Sequence, residues 1–204
     1  MRSLQDPPPS LDGASFLLLV YPTHGFTAPW SVFRYLFRLP PGRGAWAALV
    51  ATRGGGWYLL GPLPGFAGTA AWLPAAVLAL KGYRVRGLTG LDLPANWNAL
   101  HPALNEGHER FWSGRAEPKL RRFLEGMRSG RRWFLTPFNL TELLLGIALL
   151  PISALYLAFG RFILGQLFFA DHQCNSCGLC RDACPEKAIR MSRGRPRWSL
   201  RCES

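Results

Sequence analysis

Lysine is nearly missing from this chain: Lys81, Lys119 and Lys187 stand against 21 arginines. Acidic residues are half as many as basic ones, 12 against 24, giving a formal charge of +12. The excess is uneven, because Arg110 to Arg201 holds 16 basic and 6 acidic residues. That half therefore faces, or tolerates, something anionic. Dispersed cysteines are also lacking: four of the five crowd between Cys174 and Cys184, which excludes a disulfide framework. The start, Met1-Arg2-Ser3-Leu4-Gln5-Asp6 and then three prolines, has neither the basic start nor the apolar run of an export signal. Clustered thiols without such a signal point to the reducing cytoplasm. No catalytic acid–base or nucleophilic constellation stands out, so no small-molecule substrate is indicated. No nucleic-acid recognition motif accompanies the charge, and no repeat of 20 to 50 residues is apparent. What the chain has in quantity is apolar surface, 49% of 204 residues with only 18% charged. This excludes disorder and leaves room for one domain with an appendage.

Residues 1–14 read as a flexible, proline-rich leader. Ser15 to Tyr21 is a short apolar run that predicts a strand buried on both faces, as in parallel sheets. Pro29 opens a helical stretch to about Arg38, with Trp30, Phe33, Leu36 and Phe37 on one side. Ala45 to Thr52 predicts a second strand ending in a loop at Arg53-Gly54-Gly55-Gly56. Thr69 to Leu80 predicts a helix, and Tyr83 to Leu93 a third strand. Strand, loop and helix in repetition argue for a parallel sheet with helices on its faces. Residues 105–139 read as a basic helical linker, with the run Lys119 to Arg132 either a solvated face or a contact for acidic lipid or protein. An apolar helical segment follows over 140–170, and the cysteine module occupies 171–204.

The cysteines read Cys174-Asn-Ser-Cys177-Gly-Leu-Cys180-Arg-Asp-Ala-Cys184-Pro185, the spacing of bacterial [4Fe–4S] ferredoxins. Three thiolates at intervals of three can converge from one bend onto three corners of a cubane. Gly178 lets the backbone turn there, and Pro185 directs the chain away after Cys184. Ala188 and Ile189 offer apolar cover. Structural zinc ordinarily takes two cysteine pairs with a longer spacer, and a redox dithiol needs only one pair. His172 is placed to donate to a cluster, or simply to be solvated.

With the upstream segments Tyr21-Pro-Thr-His-Gly-Phe-Thr-Ala-Pro29, Ala51-Thr-Arg-Gly-Gly55, Lys81-Gly-Tyr83 and Leu93-Pro-Ala-Asn-Trp97, the chain resembles flavodoxin–ferredoxin fusions. The fold this implies is α/β: a partial flavodoxin-like parallel sheet with flanking helices, then the apolar helical segment, then a small α+β ferredoxin-like iron–sulfur module. The resemblance implies FMN at Thr23, His24, Gly25, Thr52, Gly54 and Gly55, with Trp57, Tyr58 and Trp97 as candidates to stack on it. It departs from the family in two places. No phosphate loop precedes Ser15, and the family's first two strands and first helix are lacking. That would leave Phe16 to Tyr21 as a bare sheet edge. The second ferredoxin cysteine run is lacking as well, so Cys184 and Cys202 would be half of a second ligand set. By the family pattern the chain is truncated at both ends.

Leu143 to Gly160 carries no charge over 18 residues, the length at which a membrane helix is considered, but Pro151 interrupts it. An interfacial anchor, one span and a buried packing helix all remain open. The reading reached is an electron carrier more than a substrate-converting enzyme, with a [4Fe–4S] cluster on Cys174, Cys177 and Cys180 and with Cys184 and Cys202 as further metal ligands. Its expected partners are redox proteins and a lipid surface. The rivals are an FMN-containing oxidoreductase and a non-catalytic membrane-associated fragment or assembly module.

Overall fold

The computed structural model describes residues 4–9, 15–58, 61–94 and 105–202. The first elements are β1 (Phe16–Pro22), α1 (Trp30–Arg38), β2 (Trp46–Tyr58), β3 (Gly61–Leu63), α2 (Trp72–Leu80) and β4 (Arg84–Pro94). β1 and β4 both pair in parallel with β2, from Phe16↔Trp46 on one side and Trp46↔Arg84 on the other. β3 returns antiparallel along the end of β2. Parallel neighbours need crossovers, which α1 and α2 supply. Val32, Leu36 and Leu78 from these helices close over Leu17, Leu19, Leu49 and Ala51 to form the main core.

The opposite face belongs to α3 (Glu106–Arg128), whose Phe123 and Met127 meet Ala48, Val50 and Leu91. Asn105 caps this helix, its Oδ1 accepting the His108 N–H at 2.9 Å. The stretch expected to be a basic linker is thus a layer of the domain. Arg121, Arg122 and Arg128 stay exposed while the apolar stripe is buried.

A second correction concerns β1. It was expected to be buried on both faces, but burial alternates along it. Leu17, Leu19 and Tyr21 point inward, whereas Phe16, Leu18 and Val20 are exposed, because α3 packs on β2 and β4. Among the described residues β1 is an edge strand, paired with β2 alone. The far rim of β4 differs. There the Trp133 N–H donates to the Arg86 carbonyl at 2.9 Å, and its carbonyl accepts the Leu88 N–H at 3.1 Å. The buried Asn139 donates through Nδ2 to the carbonyls of Leu88 and Trp133 at 2.9 and 3.2 Å.

In the apolar stretch, α4 (Pro137–Ala148) ends at Leu149 and α5 (Leu150–Leu155) begins. Pro151 falls in the first turn of α5, where its missing N–H breaks no helix bond. Helix continues through a π-turn (Tyr156–Gly160), α6 (Arg161–Ile163) and a 3₁₀ turn (Leu164–Leu167). By length and composition Leu150–Leu167 could cross a bilayer. The last elements are α7 (Leu179–Ala183) and the hairpin β5 (Ile189–Ser192) and β6 (Arg195–Trp198). Arg193 and Gly194 join this hairpin with φ of 50° and 75°, the signature of a type I′ turn. Of the expected leader, residues 4–9 are described: Leu4 packs on the core and Gln5 Nε2 donates to Glu186 at 2.9 Å.

Candidate metal centre

The cysteine module is a loop, one short helix and the hairpin, so its thiols are placed mainly by backbone conformation. Gly178 precedes α7 with φ +77°, a left-handed turn that β-carbon-bearing residues adopt only with strain. The Cys177 N–H donates to Asn175 Oδ1 at 3.2 Å, and Ser176 Oγ bonds the carbonyl of Gly194 in the hairpin turn. Cys177 and Cys180 are exposed, Cys174, Cys184 and Cys202 half-buried, and all five are free thiols. Ala188 is fully buried, and its N–H points at Cys184 Sγ at 3.4 Å. A backbone donor of this kind is the sort of hydrogen bond to sulfur that tunes an iron–sulfur site. The Cys202 N–H donates to the Ser199 carbonyl at 3.0 Å, and the Ser199 N–H to Ala188 at 2.8 Å, so Cys202 belongs to the same small unit.

Among the described residues, no three His, Cys, Asp or Glu side chains gather about a single ion position. Cluster thiolates bind separate irons at separate corners, so they need only share one concave bend. The donor set suits that use: soft sulfur ligands, a left-handed glycine and an inward N–H. His172 is exposed. The exposed Arg181 guanidinium hydrogen-bonds Asp182 at 2.7 Å, which holds that carboxyl below its usual range. Glu186 fixes the module to the sheet domain, accepting from Arg34 Nη2 at 2.7 Å as well as from Gln5.

The candidate flavin residues are differently disposed. Thr52, Gly54 and Gly55 lie inside β2, paired with Leu91, Leu93 and Pro94 of β4, not in a loop after a strand. A Cβ on Gly55 would come within 2.4 Å of the Trp112 ring, and one on Gly25 within 2.5 Å of the Tyr156 ring. The His24 Nδ1 lies 3.1 Å from the Tyr156 hydroxyl, and Ser153 Oγ donates to the Gly25 carbonyl at 3.0 Å. Thr23 Oγ1 is buried with no hydrogen-bond partner among the described residues. Trp57 stacks on His108 at 4.8 Å. The Tyr58 side chain and all of Trp97 lie outside the described residues. The Tyr156 ring packs directly against Gly25 and the Trp112 ring against Gly55, so neither glycine faces open space.

Sequence reasoning missed the charged cluster at the same end of the sheet. The Arg53 guanidinium, 2% exposed, pairs with Asp92 through two 2.7 Å bonds and also with Glu142, which is 7% exposed. Glu142 Oε2 accepts the N–H groups of Ala67 and Gly68, both at 2.7 Å. Lys119 Nζ lies 4.2 Å from the Phe138 ring centroid. Burial, aided by Arg53, pushes its pKa down against the pull of Asp92 and Glu142. The one available signal was a lone arginine ending an apolar strand.

Residues 172–190 match the 4Fe-4S binding domain family, which supports an iron–sulfur, ferredoxin-like module with a likeness confined to this segment. Comparison with curated proteins and with solved structures gave no match.

Proposed function

We propose that this protein is a cytoplasmic one-electron carrier of the ferredoxin kind, with Cys174, Cys177 and Cys180 holding a [4Fe–4S] cluster and Cys184 and Cys202 as further thiolates of the module. One observation carries the reading: the four-cysteine run falls within the matched segment, in a bend turned by a left-handed glycine. The cluster, when bound, supplies the redox change. The thiolates anchor iron, the Ala188 N–H withdraws charge from the Cys184 sulfur, and buried Ala188 limits water. Residues 171–204 carry seven basic and four acidic side chains. A redox partner with an acidic face fits this surface.

On this reading the α/β domain is a partial flavodoxin-like scaffold that holds no flavin, because Tyr156 and Trp112 fill the places beside Gly25 and Gly55. Anaerobic reconstitution with iron and sulfide tests the first claim. The expected product is brown, absorbs broadly at the blue end of the visible and bleaches with dithionite. The Cys180→Ser variant should retain far less iron. A colourless, zinc-loaded product would overturn the assignment. Titration with FMN tests the second claim; quenching of flavin fluorescence by the protein would revive the oxidoreductase alternative. Recovery of the protein only without a cluster would favour the assembly-module alternative.

A further inference from the structure

The helical arm from α4 to the 3₁₀ turn has two unlike sides. One side is docked: Glu142, Asn139, Ser153 and Tyr156 are buried against the sheet domain. The other carries Leu140, Leu144 and Ile147 at helical spacing, then Leu155, Phe159 and Ile163, all exposed. Leu155 and Phe159 are 60% and 61% exposed, and it is their succession along one helical arm, not the exposure of any one of them, that marks a patch. Phe168 and Phe169 extend the patch beyond the arm.

This face ends at a basic cavity. A hollow of about 510 Å³ opens beside Phe162, and Arg34, Arg161 and Arg201 line it from α1, α6 and the segment after β6. Arg34 is engaged by Glu186, the one acid in that wall. The Arg161 guanidinium lies 4.5 Å over Trp30 and 4.3 Å over Phe162, and its buried Nε has no acceptor among the described residues. Arg131 and Arg132, both exposed, precede α4 in the chain, so cations flank the arm in sequence on both sides. The pattern is an apolar strip with cationic ends, complementary to acyl chains framed by anionic headgroups.

We propose that this face seats the protein on an anionic lipid bilayer, lying in the interface and not crossing it. Crossing conflicts with the geometry. Ser153 and Tyr156 lie within the only apolar stretch of spanning length among the described residues and are tied to Gly25 and His24. A helix held along its middle by its own globular domain cannot be ringed by lipid. The docked side instead leaves the outer half of the helix free to sink into the headgroup layer. The cysteine module, joined directly to the arm, would then stay on the same side of the bilayer as the sheet.

The test uses the whole 204-residue chain, reconstituted with iron and sulfide, and co-sedimentation with vesicles. We expect at least tenfold stronger partitioning to phosphatidylglycerol–phosphatidylcholine vesicles than to pure phosphatidylcholine, weakening as salt rises. Leu155→Glu with Phe159→Glu should abolish binding while leaving the cluster absorption and circular dichroism unchanged, since both residues are exposed. Arg131→Gln or Arg201→Gln should each lower binding roughly fivefold. An alkaline carbonate wash should release the protein, and retention would mean a true span and overturn the proposal. Failure to bind either vesicle would also overturn it. Two further outcomes would do the same. One is saturable binding of inorganic phosphate without vesicle binding, which would make the cavity a soluble-anion site. The other is loss of a dimer, but not of vesicle binding, in the double variant, which would make the face an interface between copies.

Discussion

Glu142 is the residue whose loss should unbalance the molecule most. Its carboxylate neutralises a guanidinium that is 2% exposed and satisfies two backbone donors at 2.7 Å. In Glu142→Leu, Arg53 keeps its paired bonds to Asp92. The charge term therefore sits at the low end of the 3 to 5 kcal/mol typical of a broken buried pair. The stranded N–H groups of Ala67 and Gly68 add about 1 kcal/mol or more each. Together these come to about 5 kcal/mol, comparable with the whole stability of many domains. At a urea dependence of about 2 kcal/mol per molar, the midpoint should fall by roughly 2.5 M. Glu142→Gln, which keeps one acceptor oxygen, should lose about half of that. Arg53→Met should be severe alone, because it leaves the buried Glu142 and the half-buried Asp92 without their shared cation. Combined with Glu142→Leu it should cost at least about 2 kcal/mol less than the sum of the singles. Urea unfolding followed by far-ultraviolet circular dichroism reads all four proteins. A midpoint shift under about 0.5 M for Glu142→Leu, or strict additivity in the double variant, would refute the claim that this ion network docks α4 on the sheet.

Other expectations follow from single contacts. Gly25→Ala places a β-carbon 2.5 Å from the Tyr156 ring at φ +54°, and should destabilise by about 2 to 3 kcal/mol; Tyr156→Ala in that background should recover the steric share of the change but not the backbone share. Gly178→Ala, at φ +77°, should make cluster loading less favourable by about 1 kcal/mol, with Gly178→Asn milder, as iron content after reconstitution would show. Lys119 titrates below its ordinary value in the folded protein because burial disfavours its charge. The unfolded chain therefore binds more protons between that depressed value and 10.5, and stability relative to Lys119→Met should rise with pH through this window. Parallel pH dependences for the two proteins would show that Lys119 is solvated.

Local pattern made the elements of the sheet legible, along with the cysteine module. Apolar runs placed β1, β4 and the start of β2 to within a residue, though not β3, and ferredoxin spacing placed the matched segment. The extension of β2 through Gly54, Gly55 and Gly56 was not legible, because glycine disfavours strands. What holds it extended is long-range: pairing to β4 and the Arg53–Asp92 bonds. The charged cluster was hidden for the same reason, its members lying 39 and 89 residues apart in sequence. The layer role of α3 escaped notice because a few buried residues, Phe123 and Met127 among them, are outnumbered by charges along its length. Candidate flavin residues were chosen by resemblance, and resemblance carried no warning that Tyr156, from a helix more than a hundred residues downstream, would stand among them.

The two margins of the sheet are unequal. Trp133 and Asn139 occupy the outward hydrogen-bonding groups of Arg86 and Leu88, so nothing can be added there without unzipping the main chain. Beyond Phe16 to Pro22 the outward amides and carbonyls meet no such stopper among the described residues. Among the described residues the open hydrogen-bonding edge is therefore that of β1, while β4 is stoppered at Arg86 and Leu88.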